Sequence, residues 1–173
     1  MSYNAIPLGN KAPEVINAVI EIPKGSTNKY ELDEKIDALV LDRVMHSPMF
    51  YPVDYGFIPE TRSGDGDHLD VMVVTNSPVF PGCVVPVRPL GLLRMTDDKG
   101  VDNKILAVPL GNPYFVNVTD ISQLDPHILK EIVHFFEQYK ALENKSVVLD
   151  GWGTKEEALA MIMDDHKSFK NES

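Results

Sequence analysis

Three carboxylates fall within six residues in Gly64-Asp65-Gly66-Asp67-His68-Leu69-Asp70, and the apolar run Val71-Met72-Val73-Val74 follows at once. Charges packed this closely cannot be buried without partners. An unpaired buried ion costs several kcal/mol or is neutralised by protonation. A hard divalent cation, Mg²⁺ or Mn²⁺, is the least costly partner for converging carboxylates, because it prefers oxygen ligands. The alternative is a solvated acidic turn ahead of a strand. What the rest of the chain brings beside this loop decides between the two.

A second acidic turn, Thr96-Asp97-Asp98-Lys99-Gly100-Val101-Asp102-Asn103, lies further on, and Glu21 and Glu31 stand in β-type sequence near the start. One acidic hairpin turn means little, since aspartates there make local hydrogen bonds. Two such turns, each feeding a strand, can meet at the mouth of a small barrel. Lys29, Arg43 and Lys104 sit at or inside strand-like segments, where a cation ordinarily faces solvent. Tyr139-Lys140 closes a helical pattern, where lysine complements the helix dipole and tyrosine ordinarily packs into the core. Taken together, the carboxylates, cations and tyrosines suit metal-assisted phosphoryl transfer, in which two metals share a carboxylate and acidify a water.

Spacing removes several alternatives. Counted from Asp65, EF-hand positions 5, 6 and 12 would hold Leu69, Asp70 and Asn76, which is the wrong set for calcium. The histidines at 46, 68, 127, 134 and 166 form no H-E-x-x-H. Neither P-loop nor dinucleotide glycine pattern occurs, nor a G-x-S-x-G nucleophile elbow. The single cysteine, Cys83, precludes an intramolecular disulfide and a cysteine zinc site.

The elements that must position these groups follow from length and pattern. With 173 residues, 43% apolar and 24% charged, the chain is expected to form one domain spanning 1–173. No apolar run approaches the roughly 20 residues of a membrane span, and the N-terminus has no signal-peptide pattern. The expected location is the cytoplasm. A formal net charge of −10 argues against nucleic-acid or membrane partners. Strands are expected over Val15 to Ile22, Lys29 to Leu32, Ala38 to Val44, Asp70 to Thr75, a bent Val84 to Met95 and Lys104 to Val108. Prolines at 48 and 52 exclude a helix across Met45 to Ile58. Asp125-Pro126 starts a helix whose apolar positions run to Leu142. A short strand, Ser146 to Leu149, precedes a capping box at Thr154 to Glu157 that opens a last helix to about Lys170. The fold class is α+β: a small closed five-stranded antiparallel barrel of the OB type, additional strands, and two helices in the C-terminal half.

The chain resembles the soluble family I inorganic pyrophosphatases of the short bacterial or archaeal type. The resemblance rests on Ile20-Glu21-Ile22-Pro23, Lys29-Tyr30-Glu31, Asp42-Arg43, Met49-Phe50-Tyr51-Pro52, Asp54-Tyr55-Gly56 and Asp65 to Val71. It continues through Met95-Thr96-Asp97-Asp98, Asp102-Asn103-Lys104 and His134 to Lys140. It implies Mg²⁺-dependent hydrolysis of pyrophosphate to two orthophosphates, with several ions per site and Mn²⁺ or Zn²⁺ as substitutes. Asp65, Asp70 and Asp102 would ligate a first metal, with Asp70 reaching a second. Asp97 and Asp102 would serve a third, and Glu31 a further one. Asp67 would take the proton of a water bridging two metals. Lys29, Arg43, Lys104, Tyr139 and Lys140 would hold phosphate; Tyr55 and Glu21 would tune the nucleophile's surroundings, and Tyr51 would line the site. The resemblance further implies a homo-oligomer, with a hexamer favoured. Adjacent Phe135 and Phe136 would make the first helix broad enough to face both the barrel and a neighbour.

One position departs from the family pattern: His68 stands where proline or glutamate is usual, and it is expected to face solvent. Two other readings compete. A D-x-D glycosyltransferase would need a nucleotide fold the sequence lacks. An OB-type nucleic-acid module would need a basic face.

Overall fold

The computed structural model describes residues 2–172. Its first long strand, β1 (Ile16–Ile22), is β-branched at four of seven positions and almost wholly buried. It pairs antiparallel with β4 (Asp54–Ile58) on one side and with β6 (Val84–Asp97) on the other. β4 pairs with β5 (Leu69–Val73), β5 with β8 (Lys104–Pro109), and β8 with β6. The five strands therefore close into a ring. The short β7 (Gly100–Val101) and β9 (Val148–Gly153) attach to β6, while β2 (Asn28–Asp33) and β3 (Ala38–Val44) form a separate hairpin. Helices α1 (Pro126–Gln138) and α2 (Lys155–Asn171) complete the α+β architecture.

The expected all-antiparallel pairing is corrected at one seam: β5 and β8 run parallel. The reason is parity. Strand direction cannot alternate all the way round a closed ring with an odd number of members, so one adjacent pair must agree.

β4 was not legible as a strand, because the prolines at 48 and 52 dominate the sequence before it. All five of its residues are buried. Gly56 lets β4 approach β1: a Cβ there would stand 1.9 Å from the Val19 carbonyl oxygen.

Strand alternation sorts the core. Leu69, Val71 and Val73 of β5, with Ile105 and Ala107 of β8, pack with Ala158 and Ile162 of α2. Met72 and Leu106, from the opposite set, pack with Phe135 and Phe136 of α1. Both phenylalanines are 1% exposed, so neither is offered to a neighbour; they fill this chain's own core against Tyr51, Tyr55 and Tyr139.

The helix ends follow local chemistry. Asp125 caps α1 by accepting from the His127 amide at 2.8 Å, with Pro126 in the first turn. Thr154 and Glu157 form the expected capping box of α2. α1 stops at Gln138, short of Leu142, which lies in a separate 3-10 turn, Ala141–Glu143. That turn ends at Asn144 with φ +57, a backbone state that cannot continue a helix. Among the described residues, no helix is long and apolar enough to cross a membrane.

Candidate active site

Every residue nominated from the sequence lines one cavity of about 460 Å³. Glu21 comes from β1, Lys29 and Glu31 from β2, Arg43 from β3 and Tyr55 from β4. Tyr51 precedes β4, and Asp65 and Asp67 lie between β4 and β5. Asp70 is on β5, Asp97 ends β6, and Asp102 precedes Lys104 of β8. Tyr139 and Lys140 follow α1 directly.

Asp70 and Lys104 are register partners across the parallel seam. Each belongs to the strand set that faces α1, so both side chains project the same way. The Lys104 ammonium lies 2.7 Å from Asp70 Oδ2 and 2.7 Å from Asp102 Oδ1, with its side chain 2% exposed. It also stands over the rings of Tyr55 and Phe136 at 5.4 and 5.6 Å, where the aromatic quadrupoles favour a cation. The Tyr55 hydroxyl donates to Asp70. Burial alone would raise the Asp70 carboxyl; Lys104, Tyr55 and Lys29 outweigh it and hold Asp70 below the usual range. Burial likewise opposes the Lys104 charge, and the two carboxylates more than restore it.

The other nominated cations are paired in the same manner. Lys140 Nζ lies 2.7 Å from Asp97 Oδ2. Lys29 pairs with Glu31 and lies 3.6 Å from Asp42. Arg43 reaches Asp42 at 2.8 Å and Glu143 at 3.3 Å. Glu143 does not line the cavity but holds Arg43, and sequence reasoning missed it; it sits in the unforeseen 3-10 turn, and no pattern links it to Arg43.

The cavity holds more negative than positive charge. Eleven Asp and Glu side chains line it against six Lys and Arg. The excess shows in the protonation of individual groups. Burial, opposed by Lys104 and reinforced by Asp70, pushes Asp102 up to about 6. Burial and then Asp65 push Asp67 up. Among the described residues no three acidic or histidine side chains stand close enough to hold one ion; ammonium groups stand between carboxylates instead. The donor set nevertheless fits a hard cation, since it is all oxygen, anionic and short of positive charge.

Glu21 is a strongly perturbed carboxyl. Burial pushes it up to about 8 from an unfolded value of 4.5, although it accepts a 2.7 Å hydrogen bond from the Leu32 amide. A carboxyl whose folded value is raised weakens the fold as pH climbs from the unfolded toward the folded value. Glu21→Gln keeps the acceptor and removes the ionisation. The variant is expected to gain about 1 kcal/mol over wild type at pH 5 and of order 3–5 kcal/mol above pH 8. Urea unfolding in EDTA from pH 5 to 9 measures this, and a pH-independent difference would rule out ionisation as the cause.

His68 does not face solvent. Its ring stacks on Phe57 at 4.9 Å, Nδ1 lies 2.8 Å from the Thr61 carbonyl, and Nε2 lies 3.3 Å from Glu34. Burial pulls the imidazole below its ordinary value, which favours the neutral ring.

Comparison with known proteins gives consistent relatives. A family model described as inorganic pyrophosphatase matches residues 18–170. The inorganic pyrophosphatase of Methanosarcina acetivorans is 51% identical over 149 residues, covering 86% of this chain and 89% of the relative. Inorganic pyrophosphatase 1 of Pseudomonas syringae pv. tomato is 48% identical over 174 residues, covering 98% and 99%. The crystal structure of the inorganic pyrophosphatase from Thermus thermophilus superposes with a TM-score of 0.95 at 43% identity, covering 98% of this chain and 99% of that one.

Proposed function

The chain belongs to the family I inorganic pyrophosphatases of the short bacterial or archaeal type, and on that basis we propose that its cavity hydrolyses inorganic pyrophosphate to two orthophosphates with Mg²⁺. The observation that carries this reading is the charge of the cavity: eleven acidic against six basic side chains line a space offered to a polyanion. Such a space repels pyrophosphate unless divalent cations enter with it. Asp65, Asp70 and Asp102 would hold a first ion, Asp70 also a second, Asp97 and Asp102 a third, and Glu31 a further one. When bound, these ions neutralise phosphate oxygens and make a water more acidic.

The chain's own groups divide the remaining work. Asp67 accepts the proton of the attacking water as its oxygen bonds to phosphorus and the bridging P–O bond breaks. Tyr55 fixes the Asp70 carboxylate by donating to it. Glu21, protonated near neutrality, adds no charge beside the nucleophile. Lys29, Arg43, Lys104, Tyr139 and Lys140 donate to phosphate oxygens, and Tyr51 closes the apolar floor. Each cation is already held by a carboxylate, so its position is set before substrate arrives. The working form in this reading is a homo-oligomer, hexameric by family resemblance. Exposed Leu110, Tyr114 and Val116 supply apolar surface for it; sedimentation showing a monomer would refute this. Neither nucleic acid nor membrane has a place in it, given the net charge of −10.

Phosphate release from pyrophosphate, ATP and a sugar phosphate tests the activity. Turnover of pyrophosphate is expected with Mg²⁺, and Mn²⁺ or Zn²⁺ is expected to sustain part of it. EDTA should abolish it. Turnover of ATP with Mg²⁺ alone, and none of pyrophosphate, would overturn the reading.

A further inference from the structure

The loop that carries Asp65 and Asp67 lies outside strands and helices. Its start is tied to α2, where the Arg62 amide donates to the Asp165 carbonyl at 2.9 Å and the Ser63 hydroxyl to the Asp165 carboxylate at 2.6 Å. Gly66 at its centre sits at φ +92, a backbone state open to rearrangement. The Arg62 side chain reaches that centre. Arg62 Nη1 donates to the Gly66 carbonyl at 2.7 Å. The same guanidinium grips Glu34, in the β2–β3 turn, through both nitrogens at 2.8 and 3.2 Å. Its Nε donates to Glu172 beyond α2 at 2.9 Å, and its face lies 5.7 Å from the Phe169 ring centroid. Arg62 is thus tied to two elements outside the loop, with its side chain only 14% exposed.

The bond to Gly66 has a specific consequence. The Gly66 carbonyl and the Asp67 amide belong to one rigid peptide plane. Arg62 holds the carbonyl side of that plane. The other side, the Asp67 N–H, donates to Asp65 Oδ1 at 3.1 Å. Rotation of the plane would break both bonds together, releasing the Asp65 carboxylate and redirecting the Asp67 side chain.

We propose that Arg62 is a positioning residue whose guanidinium locks the Gly66–Asp67 peptide so that Asp65 and Asp67 keep their place in the cavity. The proposal deepens the pyrophosphatase reading above and rests on it for the roles of those two carboxylates. A planar fork is required, because one group must meet a carboxylate in bidentate fashion and a carbonyl at once, which an ammonium cannot do.

The test uses the full-length protein with Arg62→Met, Arg62→Lys, Glu172→Gln and Asp67→Asn, each checked for an unchanged thermal midpoint. Hydrogen exchange at the Asp67 amide and Mn²⁺ binding by calorimetry are the readouts, with kcat measured alongside. In Arg62→Met, Asp67 exchange should quicken about tenfold or more, and the Mn²⁺ Kd should rise about 10- to 100-fold, the usual cost of losing a group that orients a ligand. Arg62→Lys should fall between Arg62→Met and wild type. Glu172→Gln, which weakens only the tie to the end of α2 by removing its charge, should match wild type in all three. Unchanged exchange and unchanged Mn²⁺ affinity in Arg62→Met would overturn the proposal even if kcat fell. Full activity in Asp67→Asn would instead overturn the assigned role of Asp67, leaving the exchange result to judge the clamp.

Discussion

Asp67→Asn is expected to lower kcat for pyrophosphate by about 10²- to 10⁴-fold, the range for removing a general base. The thermal midpoint should hold, because the amide is isosteric and the backbone bonds of residue 67 remain: its carbonyl accepts from the Ser63 amide at 2.8 Å and its amide donates to Asp65. Asp67 suits the role in a way that Asp70, Asp97 and Asp102 do not. Asp70, Asp97 and Asp102 are each held by a lysine. Among the described residues, no lysine or arginine forms an ion pair with Asp67. Burial and the Asp65 charge raise its affinity for a proton. Measured at saturating Mg²⁺, a kcat within threefold of wild type would assign the base elsewhere.

Lys104→Met should produce the largest loss of stability. Lys104 is the buried cation between Asp70 and Asp102, and its removal leaves two part-buried carboxylates facing each other. Breaking a buried pair in this way costs about 3–5 kcal/mol, which for a chain of this size lowers the thermal midpoint by roughly 10 °C. The loss should be greatest in EDTA. Mg²⁺ should restore more of the midpoint in the variant than it adds to wild type, since an ion that binds only the folded state stabilises it by mass action. Differential scanning fluorimetry with and without Mg²⁺ reads both effects. A variant as stable as wild type in EDTA would show that Lys104 does not neutralise this pair.

How much of this was legible in the sequence depends on the range of the interaction. Strands and helix starts were readable because alternation and capping are local: Thr154 and Glu157 announce α2 by themselves. The fourteen nominated side chains, which line one cavity, could be named because the order of their motifs is that of the family, a pattern richer than any single acidic turn. What escaped were pairings between distant segments. Glu143 meets Arg43 across a hundred residues, and Arg62 meets Glu172 across a hundred and ten. His68 looked like a solvent-facing misfit because its cover, Phe57 and Phe169, lies on β4 and α2. The end of α1 was misplaced because Leu142 kept the apolar spacing after the backbone had left the helix.

The parallel seam between β5 and β8 decides where chemistry can occur. Two neighbouring strands that run the same way begin at the same rim, so the segments leading into them emerge side by side. Those segments are the loop with Asp65 and Asp67 and the turn with Asp102. Had β8 run opposite to β5, its acidic lead-in would have opened at the far rim, about 16 Å away over five residues of strand. The odd count of the ring thus does more than close a sheet: it brings two loops far apart in sequence to a common doorway, and Asp70 and Lys104 stand in register at its threshold.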